Sequence, residues 1–367
     1  MGKISGHKME RNAFMDEKQF YYKTSKILDV EGKYRYAREP VLRRMPDGSL
    51  ISFALSGGLR EPANDNIVLV TRSTDNGKTW SEPSVVFEHS CRAVWATELF
   101  TEIENKPMLF IQTYVAESRY RELQTFVSYT NDCGKTWTEP VSIGGGVNGI
   151  CVRQGIKLNS GRLVFPVYWQ ECVKDWDWKD ISEEDTMNNA VWPKKCGVMI
   201  SDDNGDSFYR KGCLSADYLL WENNIVEIEP DHLVMMIRAE RAGCLYRSES
   251  WDGGVTWTPA RATDIPGAGS KISMTKLGKS VAMVFNANSY KGPTSFSSRT
   301  NLEIWISDDG LNSWKRKLPL CKNDNLFFYP HLLKDDNEEQ LLVAFENGMQ
   351  HYLMSIPYEE LIGGDTP

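Results

Sequence analysis

An eight-residue phrase, Ser/Thr-x-Asp-x-Gly-x-Thr/Ser-aromatic, runs through this chain five times. It begins at Ser73 (Ser73-Thr74-Asp75-Asn76-Gly77-Lys78-Thr79-Trp80), Thr130, Ser201, Ser250 and Ser307, and in the last copy Leu311 stands where the others carry Gly. Successive copies start 57, 71, 49 and 57 residues apart. A single octamer would mark a turn; five in phase mark a repeat architecture. The Asp and hydroxyl side chains bond nearby backbone amides and tighten a turn. Gly supplies a positive φ without steric cost, and the closing aromatic buries a large apolar face against the next layer. Strand-like runs flank the copies, such as Ile67-Val68-Leu69-Val70 and Val198-Met199-Ile200. Each octamer is therefore read as a structural hairpin turn in a small antiparallel sheet.

The unit around each octamer reads strand, Pro/Asp/Gly turn, strand, strand, octamer, strand. Its first copy runs Pro40-Val41-Leu42, Met45-Pro46-Asp47-Gly48, then Leu50 to Leu55, and others begin near Ala96, Gly149, Ile225 and Ile272. A sixth begins at Tyr329-Pro330-His331-Leu332-Leu333, too close to the end of the 367-residue chain to hold an octamer and an outer strand. A lone strand within residues 18–30 can supply that missing edge. The expectation is an all-β, six-bladed β-propeller of four-stranded antiparallel blades, closed by an N-terminal strand in the last blade. Residues 1–17 are read as a tail and 18–367 as one propeller domain. The longest octamer spacing comes from residues 170–195, a stretch with Trp176, Trp178 and Trp192, expected to be a rim loop near a pocket.

A net charge of −8 and the lack of a basic run argue against nucleic acid or an anionic membrane as partner. No apolar run reaches the length of a membrane span. The start, Met1-Gly2-Lys3-Ile4-Ser5, lacks the apolar core of a secretion signal. Eight Cys without CxxC or Cys/His metal spacing read as reduced thiols. The expectation is a cytoplasmic protein without metal or cofactor; oligomeric state stays open.

A propeller gathers the starts of its inner strands around one mouth, so polar residues there are the candidates. They are Arg38 in Tyr36-Ala37-Arg38-Glu39-Pro40, Glu222 in Trp221-Glu222-Asn223-Asn224, Arg238, Arg299 and Tyr329. Taken singly, each reads as a capping or ion-pair residue. Together with the octamers they resemble the sialidase (neuraminidase) superfamily of six-bladed propellers with Asp-box (BNR) repeats, over nearly the whole chain. Arg38-Glu39-Pro40 is similar to that family's Arg-Ile-Pro motif, with Glu in the middle, and Gln154 to Pro166 to its third-blade opening.

The resemblance implies an exo-acting retaining glycoside hydrolase that releases a terminal sialic or related acidic sugar. Arg38, Arg238 and Arg299 would hold the substrate carboxylate through guanidinium pairs that Lys does not reproduce. Tyr329 would be the nucleophile, as in the sialidase exception to two-carboxylate glycosidases, with Glu222 as its base. The family's acid/base Asp would fall near Ala63, between Glu61 and Asp65, and Asp65 keeps the residue type. Two other readings stand beside this one: a hydrolase or lyase on a uronic acid that uses the same Arg cluster for the carboxylate, and a non-catalytic glycan-binding propeller. His331 and His351 of the sixth blade would suit an eliminase but are read as partners in a polar network. Arg119 and Arg121 are read as a solvated rim or a sugar contact.

Overall fold

The computed structural model describes residues 19–30, 34–103, 105–118, 123–143, 150–170, 182, 193–293, 296–322, 326–347 and 349–363. Six antiparallel sheets follow one another along the chain, the first five with their strands in sequential order. Blade 1 is Arg38–Arg44, Leu50–Ser56, Ile67–Ser73 and Ser84–Phe87; blade 2 is Ala93–Phe100, Met108–Tyr114, Gln124–Tyr129 and Val141–Ser142. Blade 3 has Leu163–Gln170, Lys194–Ser201 and Tyr209–Leu214, its inner position shared by two short strands, Cys151–Val152 and Ile156–Lys157. Blade 4 is Leu220–Glu229, His232–Ala239, Cys244–Ser250 and Arg261–Pro266, and blade 5 is Ser273–Leu277, Ser280–Asn286, Leu302–Ser307 and Arg316–Pro319.

Blade 6 has only three strands of its own, Phe328–Asp335, Gln340–Glu346 and His351–Pro357, and takes its fourth from Lys23–Leu28. That N-terminal strand pairs with the third strand in the register Lys23 to Ser355 and Lys26 to Tyr352, so the ring closes as expected with the third strand's outer edge covered. The strand is shorter than the 18–30 window. Phe20 precedes it in an isolated bridge to Cys321 and inserts its ring among Phe327, Phe345 and Tyr352, with centroids 5.0, 5.7 and 6.2 Å away. The sixth octamer's place is taken by a short helix, Tyr358–Ile362.

The octamers lie between the third and outer strands of blades 1 to 5, and their side chains satisfy one another. In the first, Ser73 Oγ donates to Asp75 Oδ1 at 2.8 Å and accepts from the Gly77 N–H at 2.8 Å. Asp75 in turn accepts from the Thr79 amide at 2.8 Å and the Thr79 hydroxyl at 2.6 Å. The same four bonds recur at Thr130, Ser201, Ser250 and Ser307. Gly205 shows why glycine is wanted: its φ is +79°, and a Cβ there would stand 2.7 Å from Met108 Sδ of the preceding blade. Leu311 takes the corresponding conformation at φ 66° and buries its side chain between blades 4 and 5.

An antiparallel blade places the start of its first strand, the end of its second and the start of its third at one rim. The end of the third strand, with the octamer, falls at the other. The octamers thus occupy the face opposite the mouth.

Two outcomes follow from this frame. Phe20→Ala removes a ring that joins the N-terminal segment to blade 6, and is expected to cost about 3–5 kcal/mol, read as a lower urea midpoint with unchanged slope. The octamer carboxylates are depressed by hydrogen bonds, first from the Thr or Ser hydroxyl two residues after the Gly position; Asp75 and Asp203 fall from 3.8 to about 2. A depressed carboxyl contributes stability that is complete above its unfolded value and lost as pH falls toward the folded one. The urea midpoint, followed by Trp fluorescence, is therefore expected to decline as pH falls from 3.8 toward about 2; a decline already complete above about pH 5 would assign it to other groups.

Candidate active site

Three inner strands are interrupted at the same place. In blade 1, Arg38 pairs with Leu55 and Val41 with Phe53, so Glu39 and Pro40 face only Ala54. In blade 4, Trp221 pairs with Arg238 and Asn224 with Met236, leaving Glu222 and Asn223 opposite Ile237. In blade 6, Phe328 pairs with Glu346 and His331 with Ala344, leaving Tyr329 and Pro330 opposite Phe345. Each is a β-bulge, a device that re-aims a side chain beside a binding site. Its first residue adopts a positive φ: 55° at Glu39, 40° at Glu222 and 56° at Tyr329. Such backbone costs on the order of 1–3 kcal/mol apiece and persists where the surroundings over-determine it. The blade 4 strand also begins at Leu220, earlier than the apolar run from Ile225 suggests, because the bulge carries the ladder past Glu222.

The three bulges meet in a pocket of about 260 Å³. Arg38, Glu61, Glu222, Arg238, Arg299 and Tyr329 all line it, together with Glu39, Lys194 and Glu346. Leu123 and the rings of Trp95, Tyr168 and Trp221 supply its apolar wall. Asp65 is exposed on the loop after the second strand of blade 1 and does not line the pocket. Glu61, from the same loop, has its carboxylate 3.9 Å from Arg38 Nε. His331 and His351 are buried outside the lining. His331 accepts from Arg43 Nη1 at 2.6 Å within an Arg43–Glu98 ion pair. Burial and the Arg43 charge push its imidazole well below the usual range, and burial takes His351 to about 3. Both are neutral and form part of the core. Arg119, Arg121 and all of the 170–195 insertion except Gln170, Ser182 and 193–195 lie outside the described residues.

At the floor of the pocket, the Tyr329 hydroxyl donates to Glu222 Oε1 at 2.8 Å. Arg238 Nη1 donates to Glu222 Oε2 at 2.6 Å and to the Tyr329 oxygen at 3.2 Å, while its Nη2 donates to Glu240 Oε2 at 2.9 Å. Arg299 stacks on the same tyrosine, 4.7 Å from its ring centroid. Burial alone would raise the Glu222 carboxyl, but Arg238 and Arg153 overcome it and hold the group at about 2. Burial and the neighbouring Glu222 charge push the Tyr329 phenol far up. A carboxylate that stays ionised thus sits against a phenol that stays neutral.

Several members of this constellation escape a reading of the sequence. Arg153 directly precedes the Gln154 to Pro166 stretch and is buried between Glu39 and Glu222. A Glu in the middle of Arg38-Glu39-Pro40 is the available signal, since a buried carboxylate needs a partner, but the partner is 114 residues away. Glu346 pairs with Phe328, just before the blade 6 bulge, as Arg238 pairs with Trp221, just before that of blade 4, an equivalence visible once the repeats are aligned. It accepts from the Glu39 amide at 2.9 Å, and burial, opposed by Arg38, raises it to about 8. Lys194 begins the third strand of blade 3 with its Nζ 3.0 Å from the Trp221 ring centroid. Burial, then the Arg238 charge, lower it to about 7.

Comparison with known proteins agrees with this architecture. Residues 48–341 match the model of the BNR repeat-like domain. A curated sialidase of Bacteroides fragilis is 22% identical over 320 residues, 77% of this chain and 54% of that protein, so the chain spans about half of that relative's length. Among solved structures, a Hadza microbial sialidase superposes with a TM-score of 0.73 at 17% identity, covering 92% of this chain and 69% of that one. The intramolecular trans-sialidase of Ruminococcus gnavus, solved with oseltamivir carboxylate, gives 0.72 at 15% identity, covering 92% and 98%. A protein of unknown function from Dyadobacter fermentans gives 0.68 at 14% identity with the same coverages. With most of its length matched by that domain and its six blades closed by the N-terminal strand, the chain belongs to the BNR repeat-like family, as a propeller of the sialidase superfamily.

Proposed function

We propose that this chain is a sialidase-type glycoside hydrolase that releases a terminal sialic or related acidic sugar with retention of configuration. The observation that carries the reading is the contact of Tyr329 with Glu222 at 2.8 Å beneath Arg238 and Arg299. Two carboxylates flanking a bond are the common glycosidase solution, and a tyrosine nucleophile is the sialidase exception. The electrostatics support the exception here. A sugar whose anomeric carbon bears a carboxylate would repel an anionic nucleophile, whereas a neutral phenol can approach it. Arg38, Arg238 and Arg299, from blades 1, 4 and 5, supply the cations for that carboxylate. A pocket of about 260 Å³ is small for a ligand site and suits one terminal ring.

In the first step Tyr329 passes its proton to Glu222 as its oxygen bonds the anomeric carbon. The glycosidic bond breaks, and the leaving oxygen takes a proton from Glu61. The pH range over which the phenol stays neutral makes its early ionisation uphill. Attack is thus coupled to the positive charge that develops at the anomeric carbon, which the site stabilises. In the second step a water gives a proton to Glu61 and attacks the same carbon. The tyrosine–sugar bond breaks, and the phenolate recovers its proton from Glu222. Glu61 takes this role in preference to Asp65 because it lines the pocket and Asp65 does not.

Release of fluorophore from a 4-methylumbelliferyl sialoside tests the reading. Wild type is expected to turn over, Tyr329→Phe to lose at least about 10²-fold, and Arg299→Ala to lose about 10–100-fold in kcat/KM. Glu61→Gln should spare this good leaving group and fail on alkyl-linked sialosides; full activity on both would remove Glu61 from the mechanism. A 3-fluoro-sialosyl fluoride should leave its label on a Tyr329 peptide in mass spectrometry. A folded wild type silent on sialosides but active on uronides would move the substrate to another acidic sugar, and silence on both would leave a glycan-binding propeller.

A further inference from the structure

The proposed pair of Tyr329 and Glu222 does not account for Arg153 or Glu39. Arg153 lies in the break of the blade 3 inner strand, fixed by its N–H to the Pro166 carbonyl at 2.8 Å. Its guanidinium spans two carboxylates, with Nη1 on Glu39 Oε2 at 3.0 Å and Nη2 on Glu222 Oε1 at 2.8 Å. Its Cζ lies 5.6 Å from the ring centroids of both Trp95 and Tyr168. All three charged groups are buried, Arg153 at 3%, Glu222 at 4% and Glu39 at 6% exposure. The oxygen that Arg153 holds is the one that accepts the Tyr329 proton donor.

We infer that Arg153 is the positioning residue of the nucleophile–base pair, and that Glu39 is the buried countercharge that lets it occupy that place. The inference rests on the roles assigned above to Tyr329 and Glu222. Arg238 touches Glu222, Tyr329 and Glu240 at once. A substrate carboxylate draws on the same guanidinium, so its hold on Glu222 changes when the site fills. Arg153 faces protein carboxylates on both of its bonded nitrogens, so its hold does not. It keeps Glu222 oriented toward Tyr329 while Arg238 turns to the substrate. An arginine serves here because its planar fork reaches two carboxylates, which a point-charge lysine does not.

The consequence is a pH signature. The charged neighbours of Glu222 are Arg153 and Lys194 of blade 3, Arg238 of blade 4, Lys271 and Arg299 of blade 5, with Tyr329 of blade 6 as its titratable donor. Tyr168 and Cys151 also face it, and burial keeps both neutral. Removing one of the two bonded cations should let the Glu222 carboxyl rise by about one pH unit or more. Single loss of Arg153 would strand two buried carboxylates, so the variants are made in pairs. Glu39→Ile with Arg153→Met puts apolar groups in place of the ion pair, a replacement proteins often tolerate. Glu39→Gln with Arg153→Gln keeps hydrogen bonding without charge.

In either folded pair the acid limb of kcat/KM is expected to move up by about one unit or more. The kcat should fall about 10–100-fold with KM within about threefold. Arg153→Lys should lose kcat without moving the limb. ¹³C-carboxylate NMR, with Glu222 assigned through Glu222→Gln, gives the same answer without substrate: the Glu222 titration must shift upward in the pairs. An unmoved titration, or failure of both pairs to fold, would overturn the inference and make Arg153 a structural strut. A wild type inactive on every acidic glycoside would instead sink the functional reading, and the NMR titration would still decide this one.

Discussion

In a regular antiparallel ladder successive side chains alternate between the two faces of the sheet. Along an inner strand of a propeller, both faces are occupied by neighbouring blades. Aiming a side chain at the axis requires a break in the alternation, and the structure makes that break by setting two residues against one. Glu39, Glu222 and Tyr329 each lead such a mismatch with a positive φ. Proline follows Glu39 and Tyr329, where the missing N–H forfeits no ladder bond. Asn223 follows Glu222 and anchors the bulge by donating from its side-chain Nδ2 to the Gly197 carbonyl at 2.9 Å. The strain is small beside the core that imposes it, since both strands of each mismatch are buried nearly throughout.

The bulges bring together charges that would be costly alone. An isolated ion in a protein interior costs several kcal/mol even after relaxation, yet Arg153, Arg238, Glu39, Glu222 and Glu240 are all buried. They are tolerated because the groups alternate in sign along a chain from Glu39 through Arg153, Glu222 and Arg238 to Glu240, each in an ion pair with its neighbour. Such a chain does not merely hold together; it sorts its members. Two guanidinium groups push Glu222 down, and the same Glu222 charge joins burial in pushing Tyr329 up. An ionised carboxylate and a neutral phenol therefore face each other across a 2.8 Å hydrogen bond. Glu346, where burial and the neighbouring Glu39 and Glu61 charges outweigh Arg38 and Arg299, goes the other way.

Much of this was legible in the sequence because local chemistry wrote it there. The octamers state a turn, and their spacing states a repeat. A missing outer strand at one end matched a spare strand at the other. Arg38, Glu222, Arg238, Arg299 and Tyr329 read singly as capping or ion-pair residues and were legible as an ordered set only through the resemblance to the sialidase superfamily. Legibility failed where a residue's meaning lies in a distant partner. Nothing near Glu39 names Arg153, and nothing near Lys194 names Trp221. Glu61 and Asp65 sit four positions apart on one loop, and their residue types do not tell which reaches the pocket; the loop's path does. The apolar run from Ile225 marks the inner strand of blade 4 too late for a related reason. A bulge disrupts the pattern by which a strand is read, so a functional interruption hides its own boundary.

Blade 3 reaches the axis by another route. Its inner position is not bulged but divided between Cys151–Val152 and Ile156–Lys157, and Arg153 falls in the gap. Its amide is satisfied by Pro166 of the second strand, so the side chain is released from strand alternation without an unpaired N–H. Bulge and gap are thus alternative solutions to one constraint, and both lie at the rim opposite the octamers. The octamer turns are anchored by their own Ser/Thr–Asp–hydroxyl networks and by packing on the preceding blade. Stability and chemistry consequently draw on opposite ends of the same strands. The Glu39–Arg153 pair lies at the mouth end of the strands, apart from the octamer turns, and its effect is therefore to be sought in Glu222 and Tyr329.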